Sequence, residues 1–222
     1  MCKLIIAIDG PAASGKSTVA KEVARRLGFD YLDTGAMYRC FTLFVLEKKL
    51  NPNDELAINK ILKQAQILIK DQRFFLNGQD VSEKIRGNEV TTWVSKVCAY
   101  EAVREAMVEQ QRKIVNQSSN SVILDGRDIG TYVFPNASLK IYLTASYDER
   151  AKRRYLENKA RGLNLSLEFI KADLMRRDQA DSTRHIAPLK IADDAIVLDN
   201  SELSIAQTAD FIIEKIKELE ND

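Results

Sequence analysis

Cysteine is scarce in this sequence, and long apolar runs are missing. Only three cysteines, Cys2, Cys40 and Cys98, occur among 222 residues, far apart and without any Cys-x-x-Cys spacing. This arrangement excludes a disulfide framework and a zinc site, so we expect reduced, buried thiols. No stretch approaches the roughly 18 apolar residues of a membrane span, and no basic segment followed by a long apolar run marks a secretory signal. We therefore expect a cytoplasmic protein with no membrane partner.

Neither sign of charge is in excess. The sequence has 33 Lys and Arg residues against 32 Asp and Glu, which gives a formal net charge of +1 and a pI of about 7.6. A dedicated nucleic-acid-binding domain usually has a pI above about 9, so we expect no nucleic-acid partner and only local recognition of phosphate. With 45% hydrophobic residues, the chain can fold as one large domain without a disulfide or a structural metal.

Short apolar runs rich in β-branched residues alternate with segments of helical period. Five runs that end in Asp or a small polar residue are predicted strands, at residues 3–9, 29–33, 121–125, 139–144 and 195–199. Helical periodicity marks residues 17–27, 103–115, 146–160 and 205–219. This alternation predicts an α/β fold in which a parallel sheet is covered by helices on both faces.

Residues 51–87 interrupt this alternation. The pattern over 53–70 is helical, whereas 73–76 and 79–81 are strand-like and flank the pair Asn77-Gly78. Asn-Gly suits a turn with positive φ at both central residues, so the second half predicts a small hairpin. We interpret 51–87 as an insertion that packs on the core by its own helices.

A phosphate-binding motif follows the first predicted strand. Residues 10–17, GPAASGKS, fit the pattern G-x-x-x-x-G-K-[ST] and lead into the first predicted helix. The glycines let the backbone wind around phosphate oxygens, and the helix N-terminus favours the anion. Lys16 would neutralise the β- and γ-oxygens of a nucleoside triphosphate, and Ser17 would ligate Mg²⁺.

A second element often completes such a site. The apolar run 122–125 ends in Asp125, and an Asp in this position can hold Mg²⁺ directly or through water. The same residue could be a plain helix or turn cap, so both interpretations stay open. Asp33, at the end of the second predicted strand, is a weaker candidate.

The remaining motifs narrow the class of nucleotide-binding protein. A signalling GTPase normally recognises guanine through an Asn-Lys-x-Asp motif. Asn59-Lys60 and Asn158-Lys159 both lack Asp two residues further along the chain, which disfavours a GTP-dependent switch. A motor or helicase ATPase would need a nucleic acid or a protein filament to move along, and the balanced charge gives no sign of such a partner. A small-molecule kinase is favoured, and the identity of its phosphate acceptor stays open. A non-catalytic regulatory module that binds a nucleotide is the alternative from another class.

Arginine is concentrated in the last third of the chain. Arg150, Arg153, Arg154 and Arg161 lie in and just after a predicted helix, and they either close over ATP as a lid or form a solvated face. Further on, Arg177, Asp181 and Arg184 follow at steps i, i+4 and i+7. If that helix continues, Asp181 can hold both arginines; the alternative is a surface ladder of salt bridges.

Taken together, the motifs resemble the bacterial cytidylate kinases, a family of nucleoside monophosphate kinases. The matching segments are GPAASGKST, LDTGAMYR at 32–39, DGRDIGT at 125–131 and RRDQADSTRHIAPL at 176–189. The resemblance covers nearly the whole chain. It implies a single domain over 1–222 with a P-loop NTPase core of five parallel strands flanked by helices. The implied domain also has an enlarged NMP-binding region at about 34–100, which contains the insertion with its small antiparallel sheet. A lid at about 146–162 completes the domain.

The resemblance also implies an activity and a set of site residues. The activity is ATP-dependent phosphorylation of CMP and dCMP in pyrimidine nucleotide metabolism, with Mg²⁺ as cofactor and a monomer as the expected state. The ATP-binding positions match Gly10, Pro11, Ala12, Ala13, Ser14, Gly15, Lys16, Ser17 and Thr18. The CMP-binding positions match Thr34, Arg39, Ser95, Arg104, Arg127, Asp128, Arg177, Asp181 and Arg184. The expected catalytic groups are Lys16, Arg127, Arg154 and Arg184, and the expected metal ligands are Ser17 and Asp125.

Within the CMP set, the resemblance assigns roles that the chemistry of each residue type permits. Asp128 can accept a hydrogen bond from the cytosine amino group, and Arg104 and Ser95 can donate to the ring acceptors. Arg39, Arg127 and Arg184 would clamp the acceptor phosphate, and Arg177 and Asp181 would reach the sugar hydroxyls.

Overall fold

The structure is a computed structural model that describes residues 3–70 and 72–221, with side chains described up to Leu219. Cys2 lies outside the described residues. Contacts divide the chain into two compact units, the first running up to Leu32 and again from Ser118 onward, and the second over Asp33–Gln117. The prediction of a single domain stays a prediction.

The first unit is built on a five-stranded sheet. Its strands are β1 (Ile5–Asp9), β2 (Asp30–Asp33), β6 (Val122–Gly126), β7 (Leu139–Thr144) and β8 (Ile196–Asp199). Their order is β2-β6-β1-β7-β8, with β1 parallel to β6 and β7, and β7 parallel to β8. All five strands lie where the alternating pattern predicted them.

The helices described in this unit are α1 (Lys16–Leu27), α6 (Tyr147–Ala160), α7 (Leu167–Thr183), α8 (Ile205–Asn221) and a π-helical turn at Ile129–Val133. Helices α1 and α8 pack together against the sheet, where Ile8, Val23 and Ile212 belong to one buried cluster. Each fully buried side chain of this size contributes about 1.5–3 kcal/mol. The chain leaves α1 at Gly28, whose φ of 69° is the left-handed conformation common at helix ends.

The second unit contains α2 (Thr34–Glu47), α3 (Glu55–Ile61), β3 (Ile67–Lys70), β4 (Arg73–Leu76), β5 (Gln79–Asp80), α4 (Asn88–Val97) and α5 (Glu101–Gln117). The three strands form an antiparallel sheet in the order β3-β4-β5. Asn77 and Gly78 have φ values of 48° and 82° at the turn between β4 and β5, so the predicted hairpin is confirmed.

The helix expected over 53–70 is wrong in its second half. Helix α3 ends at Ile61, and a short 3₁₀ turn at Leu62–Gln64 leads into β3. In β3, Ile67 pairs with Leu76 and Ile69 with Phe74 across the sheet. A short apolar run fits the helical and the strand period equally well, and here pairing with β4, a contact the local pattern does not encode, selects the strand.

The cysteines, one helix cap and the character of the helices complete the description of the fold. Cys40 and Cys98 are buried as expected, and burial, with the nearby charge of Asp33, raises the pKa of Cys40 to about 12. Ser146 caps α6 by accepting from the amide of Glu149 at 3.3 Å. Among the helices of the described residues, none combines the length and apolar character needed to cross a membrane.

Candidate active site

The phosphate-binding loop runs from the end of β1 to the start of α1. Gly10 has a φ of 150°, and a Cβ there would come within 2.0 Å of the Leu143 carbonyl oxygen, so only glycine fits. At the other end of the loop, Lys16 is buried and donates to the Pro11 carbonyl at 2.7 Å and to Ser14 Oγ at 3.3 Å. Burial lowers the pKa of Lys16 well below its ordinary value, and the charge of Arg127 adds to this effect. An anion beside the ammonium would compensate both effects.

Ser17 and Asp125 lie together, as the sequence predicted. Ser17 Oγ donates to Asp125 Oδ2 at 2.6 Å, and the Tyr31 hydroxyl donates to Asp125 Oδ1 at 2.6 Å. Asp33, the weaker candidate, instead caps α2 through the amide of Ala36 and pairs with Arg86 at 3.4 Å. The geometry therefore favours Asp125 as the carboxylate partner of the loop.

The donor set of Ser17 and Asp125 fits Mg²⁺. A hydroxyl and a carboxylate are hard oxygen ligands, and Mg²⁺ in phosphoryl-transfer sites usually takes one or two protein oxygens, with phosphates and water completing its octahedron. Among the residues that the structure describes, no group of three or more His, Cys, Asp or Glu side chains could hold a metal ion. Ser17 and Asp125 could therefore supply only part of the coordination shell of such an ion.

Asp9 forms a buried contact that the sequence analysis did not anticipate. Its carboxylate accepts from the amides of Ile129 and Gly130 at 2.9 and 2.8 Å. Burial raises the pKa of Asp9 to about 6, although these two hydrogen bonds oppose the rise. The contact fixes the backbone directly after Asp128, a buried residue of the predicted CMP site.

Asp181 has a different main partner from the one expected. The carboxylate accepts from Arg127 Nε at 2.8 Å, whereas Arg184 Nη1 lies 3.9 Å away. Helix α7 ends at Thr183 and Arg184 is extended, with φ −61° and ψ 143°, so a shared helical face with Arg177 does not form. Arg184 Nη2 instead lies 3.2 Å from Asp128 Oδ1.

The Arg127–Asp181 pair stabilises both charges. Burial alone would lower the pKa of Arg127, but the charge of Asp181 and its hydrogen bond raise it above the ordinary value. Burial likewise opposes ionisation of Asp181, yet Arg127 holds its pKa below the usual range. Both groups are therefore charged at neutral pH.

Two further arginines have buried donors with no hydrogen-bond partner among the described residues. These donors are Nε and Nη1 of Arg177 and Nε of Arg154. Burial lowers the pKa of Arg177 to about 10, and the charges of Arg154 and Arg127 add to this effect. Unsatisfied buried cations are costly, and an anionic oxygen is the partner that satisfies them best.

The four arginines of the predicted lid lie in different environments. Arg150 and Arg153 donate to carbonyl oxygens of the phosphate-binding loop, at Ala12 and Ser14 respectively. Arg154 Nη1 pairs with Glu157 at 3.0 Å, and Arg161 also pairs with Glu157, at 2.9 Å on the surface. Of these four arginines, Arg154 has a buried donor, Nε, without a hydrogen-bond partner among the described residues, and its catalytic role stays a prediction.

The second unit holds four residues of the predicted CMP set. Thr34 is the first residue of α2, and Ser95 is half-buried on α4. Arg39 Nη1 donates to Thr91 Oγ1 at 3.0 Å and to the Ile85 carbonyl at 3.2 Å. Arg104, only 1% exposed, donates to the Cys98 carbonyl at 3.3 Å. The other five, Arg127, Asp128, Arg177, Asp181 and Arg184, lie in the first unit.

Comparison with known proteins decides the family. The model of the cytidylate kinase family matches residues 6–218. The chain belongs to the cytidylate kinase family. Cytidylate kinase of Geobacillus sp. (strain WCH70) is 52% identical over 217 residues, which cover 96% of each chain. That of Fusobacterium nucleatum subsp. nucleatum is 48% identical over 219 residues, 99% of this chain and 100% of its own.

Two solved structures share the fold of this cytidylate kinase family member. An uncharacterized protein from Eubacterium ventriosum has a TM-score of 0.55 at 14% identity, covering 97% of this chain and 99% of its own. TT1252 from Thermus thermophilus has a TM-score of 0.53 at 17% identity, covering 98% of both chains. The predicted fold class and family are thus confirmed, and with them the activity class, a nucleoside monophosphate kinase.

The sequence analysis missed four residues that shape this site: Asp9, Tyr31, Asp178 and Asn200. Tyr31 and Asp9 precede motif residues by one or two positions, and strand ends next to a phosphate-binding loop are a usable signal. Asp178 lies directly after Arg177 in the quoted C-terminal motif. Asn200 directly follows β8, and only the strand order places it beside the loop.

Proposed function

We propose that this member of the cytidylate kinase family transfers the γ-phosphoryl group of ATP to the phosphate of CMP and dCMP, with Mg²⁺ as cofactor. The observation that carries the donor site is the 2.6 Å contact of Ser17 with Asp125, one residue from the buried Lys16. Kinases need little covalent chemistry from the protein, so placement of charge is the main requirement. The first unit concentrates that charge around its phosphate-binding loop.

The donor end uses the loop and its lysine. The loop of residues 10–18 would bind the phosphates of ATP through its backbone amides from Ala13 onward, and Lys16 would neutralise the charge that grows on the β–γ bridging oxygen. Ser17 and Asp125 would hold Mg²⁺, which would neutralise phosphate oxygens when bound. Tyr31 supports this arrangement, because its hydroxyl orients the second oxygen of Asp125.

The predicted CMP-binding residues in the first unit are three arginines and two aspartates. Arg127 and Arg184 are proposed to bind the CMP phosphate, and Arg154 to bind the transferred group. An ionised phosphomonoester needs no general base, which agrees with the exposed position of the single histidine, His185. Asp128 is proposed to accept from the cytosine amino group. Arg177 and Asp181 are proposed for the sugar hydroxyls.

The CMP-binding residues proposed in the second unit come from the same family resemblance. Arg104 and Ser95 would donate to the cytosine ring acceptors, and Arg39 would contact the phosphate. Thr34 keeps the hydroxyl that the family has at this position. Burial of Arg104 and its position 5.4 Å over the Tyr38 ring support a fixed orientation of its guanidinium.

A panel of acceptors tests the proposal. ADP release from ATP should be fast with CMP and dCMP and slower with UMP or AMP, and excess EDTA should abolish it. Lys16→Ala should lower turnover by about a thousandfold or more, because the charge acts on the transferring group, while circular dichroism shows an intact fold. ATP binding without acceptor-dependent turnover would instead indicate a regulatory nucleotide-binding module.

A monomeric state and a cytoplasmic location belong to the proposal and are tested by sedimentation and cell fractionation.

A further inference from the structure

We propose that Arg150, Arg153, Asp178 and Asn200 form a brace that holds the phosphate-binding loop from outside and orients its amides toward ATP. All four are positioning residues, because each contacts the loop main chain rather than the reacting atoms. The inference rests on the proposed binding of ATP by this loop. It assigns Arg150 and Arg153 a role different from closure of a lid over the phosphates.

The first arm of the brace holds the peptide groups on both sides of Ala12. Arg150 Nη1 donates to the Ala12 carbonyl at 3.1 Å, and the Ala12 amide donates to Asp178 Oδ1 at 3.0 Å. The two side chains are linked by an ion pair of 2.5 Å from Arg150 Nη1 to Asp178 Oδ2. Arg150 is 3% exposed and also donates to the Ala145 carbonyl at 3.1 Å. Both partners are therefore fixed before any ligand binds.

The second arm holds the carbonyl of Ser14. Arg153 Nη1 and Asn200 Nδ2 both donate to this oxygen at 3.1 Å. Arg153 is itself held by Asn200, through the side-chain oxygen at 3.0 Å and the carbonyl at 2.8 Å. A Cβ at Gly15 would lie 3.4 Å from Arg153 and 3.5 Å from Asn200, so the arm packs directly against the loop.

Peptide geometry converts these outward contacts into inward ones. In a planar trans peptide, the carbonyl of one residue and the amide of the next point in opposite directions. Holding the Ala12 carbonyl therefore fixes the amide of Ala13, and holding the Ser14 carbonyl fixes the amide of Gly15. Successive amides that point into one concavity form an anion-binding site.

The loop conformation needs such support. Ala13 has a φ of 60° and Gly15 a φ of 90°, and the left-handed region is unfavourable for a residue with a Cβ such as alanine. Hydrogen bonds from outside the loop oppose its relaxation. The brace should therefore act mainly on the affinity for ATP, whereas a group that touches the transferred phosphoryl group acts mainly on kcat.

Substitution of Arg153 tests the brace, because this side chain is partly exposed and its loss leaves the core intact. Arg153→Met should weaken the equilibrium affinity for ATP about tenfold, the usual effect of removing a charged hydrogen bond. At saturating ATP, kcat should stay within about threefold, and KM for CMP should not change. Arg153→Lys should restore part of the affinity. Lys152→Met, on the same helix and 70% exposed at its side chain, is the matched control and should bind ATP as the wild type does.

A second variant keeps the test independent of one substitution. Asp178→Asn retains the acceptor for the Ala12 amide but loses the charge that holds Arg150, so a smaller loss of ATP affinity is expected. An unchanged affinity in Arg153→Met, or a loss of kcat without loss of affinity, would overturn the brace. Wild-type protein that binds no ATP would overturn the proposed function and the brace with it, so the two failures are distinguishable.

Discussion

Asp9 gives the stability of this protein a pH dependence whose sign and size follow from its burial. The pKa of its carboxyl rises from the ordinary value of 3.8 to about 6. One pKa unit corresponds to about 1.4 kcal/mol, so ionised Asp9 costs the folded state about 3 kcal/mol. Because the folded protein binds this proton more tightly than the unfolded chain does, the cost is absent well below pH 4 and complete above pH 6.

Asp9→Asn isolates this effect. The substitution removes the titration but leaves every other carboxyl in place, so contributions common to both proteins cancel in the difference between their unfolding free energies. The wild type should lose about 2 kcal/mol more than the variant between pH 4 and pH 7. An amide has a single oxygen for the two amides of Ile129 and Gly130, which adds a loss of about 1–3 kcal/mol that does not depend on pH.

Urea unfolding of both proteins at half-unit steps from pH 4 to pH 7.5 measures the difference directly. The informative quantity is its slope with pH rather than its value at any one pH, since the lost hydrogen bond shifts all points equally. A difference that stays constant over this range would refute the argument, and it would mean that Asp9 titrates in the folded protein as it does in the unfolded chain.

Two predictions concern catalysis and base recognition. Arg154→Ala should lower kcat by at least tenfold with a smaller change in KM for CMP, since its charge is needed mostly in the transition state; steady-state kinetics with a kcat within twofold of wild type would assign Arg154 to a solvated face. Asp128→Ala should lower kcat/KM for CMP about 5- to 150-fold, the usual effect of losing a good base contact. The loss in kcat/KM for UMP should be smaller, because O4 of uracil is an acceptor and cannot donate to a carboxylate. An unchanged CMP-to-UMP ratio would leave Asp128 with a structural role only.

The part of the site that could be predicted from the sequence is the part encoded locally. Gly10, Lys16 and Ser17 lie within one short motif between a strand and a helix, and the fold places them as the motif requires. Asp125 was predicted because it ends an apolar run, a position from which an Asp can hold Mg²⁺. Here the order of the strands brings it to Ser17 across 108 residues of sequence.

The contacts that were missed or wrong depend on where elements end and which elements pack together. A helical continuation to Arg184 would have placed it on the face of Arg177, but α7 ends one residue earlier. Asp178 and Asn200 reach the loop across 166 and 186 residues of sequence. No local pattern contains such contacts, because they arise only when the fold brings α7 and the end of β8 beside the phosphate-binding loop.

The strand order has a consequence for how the chain folds while it is being synthesised on the ribosome. β1 is synthesised first, yet both of its neighbours, β6 and β7, come more than 100 residues later, after the whole of the second unit. Pairings of such high sequence separation form slowly, and Asn200, which holds the Ser14 carbonyl, follows the last strand, β8. A ribosome-tethered chain that stops before β8 lacks Asn200, so we expect its phosphate-binding loop to bind ATP weakly and to stay open to proteolysis that ATP prevents in a chain containing β8.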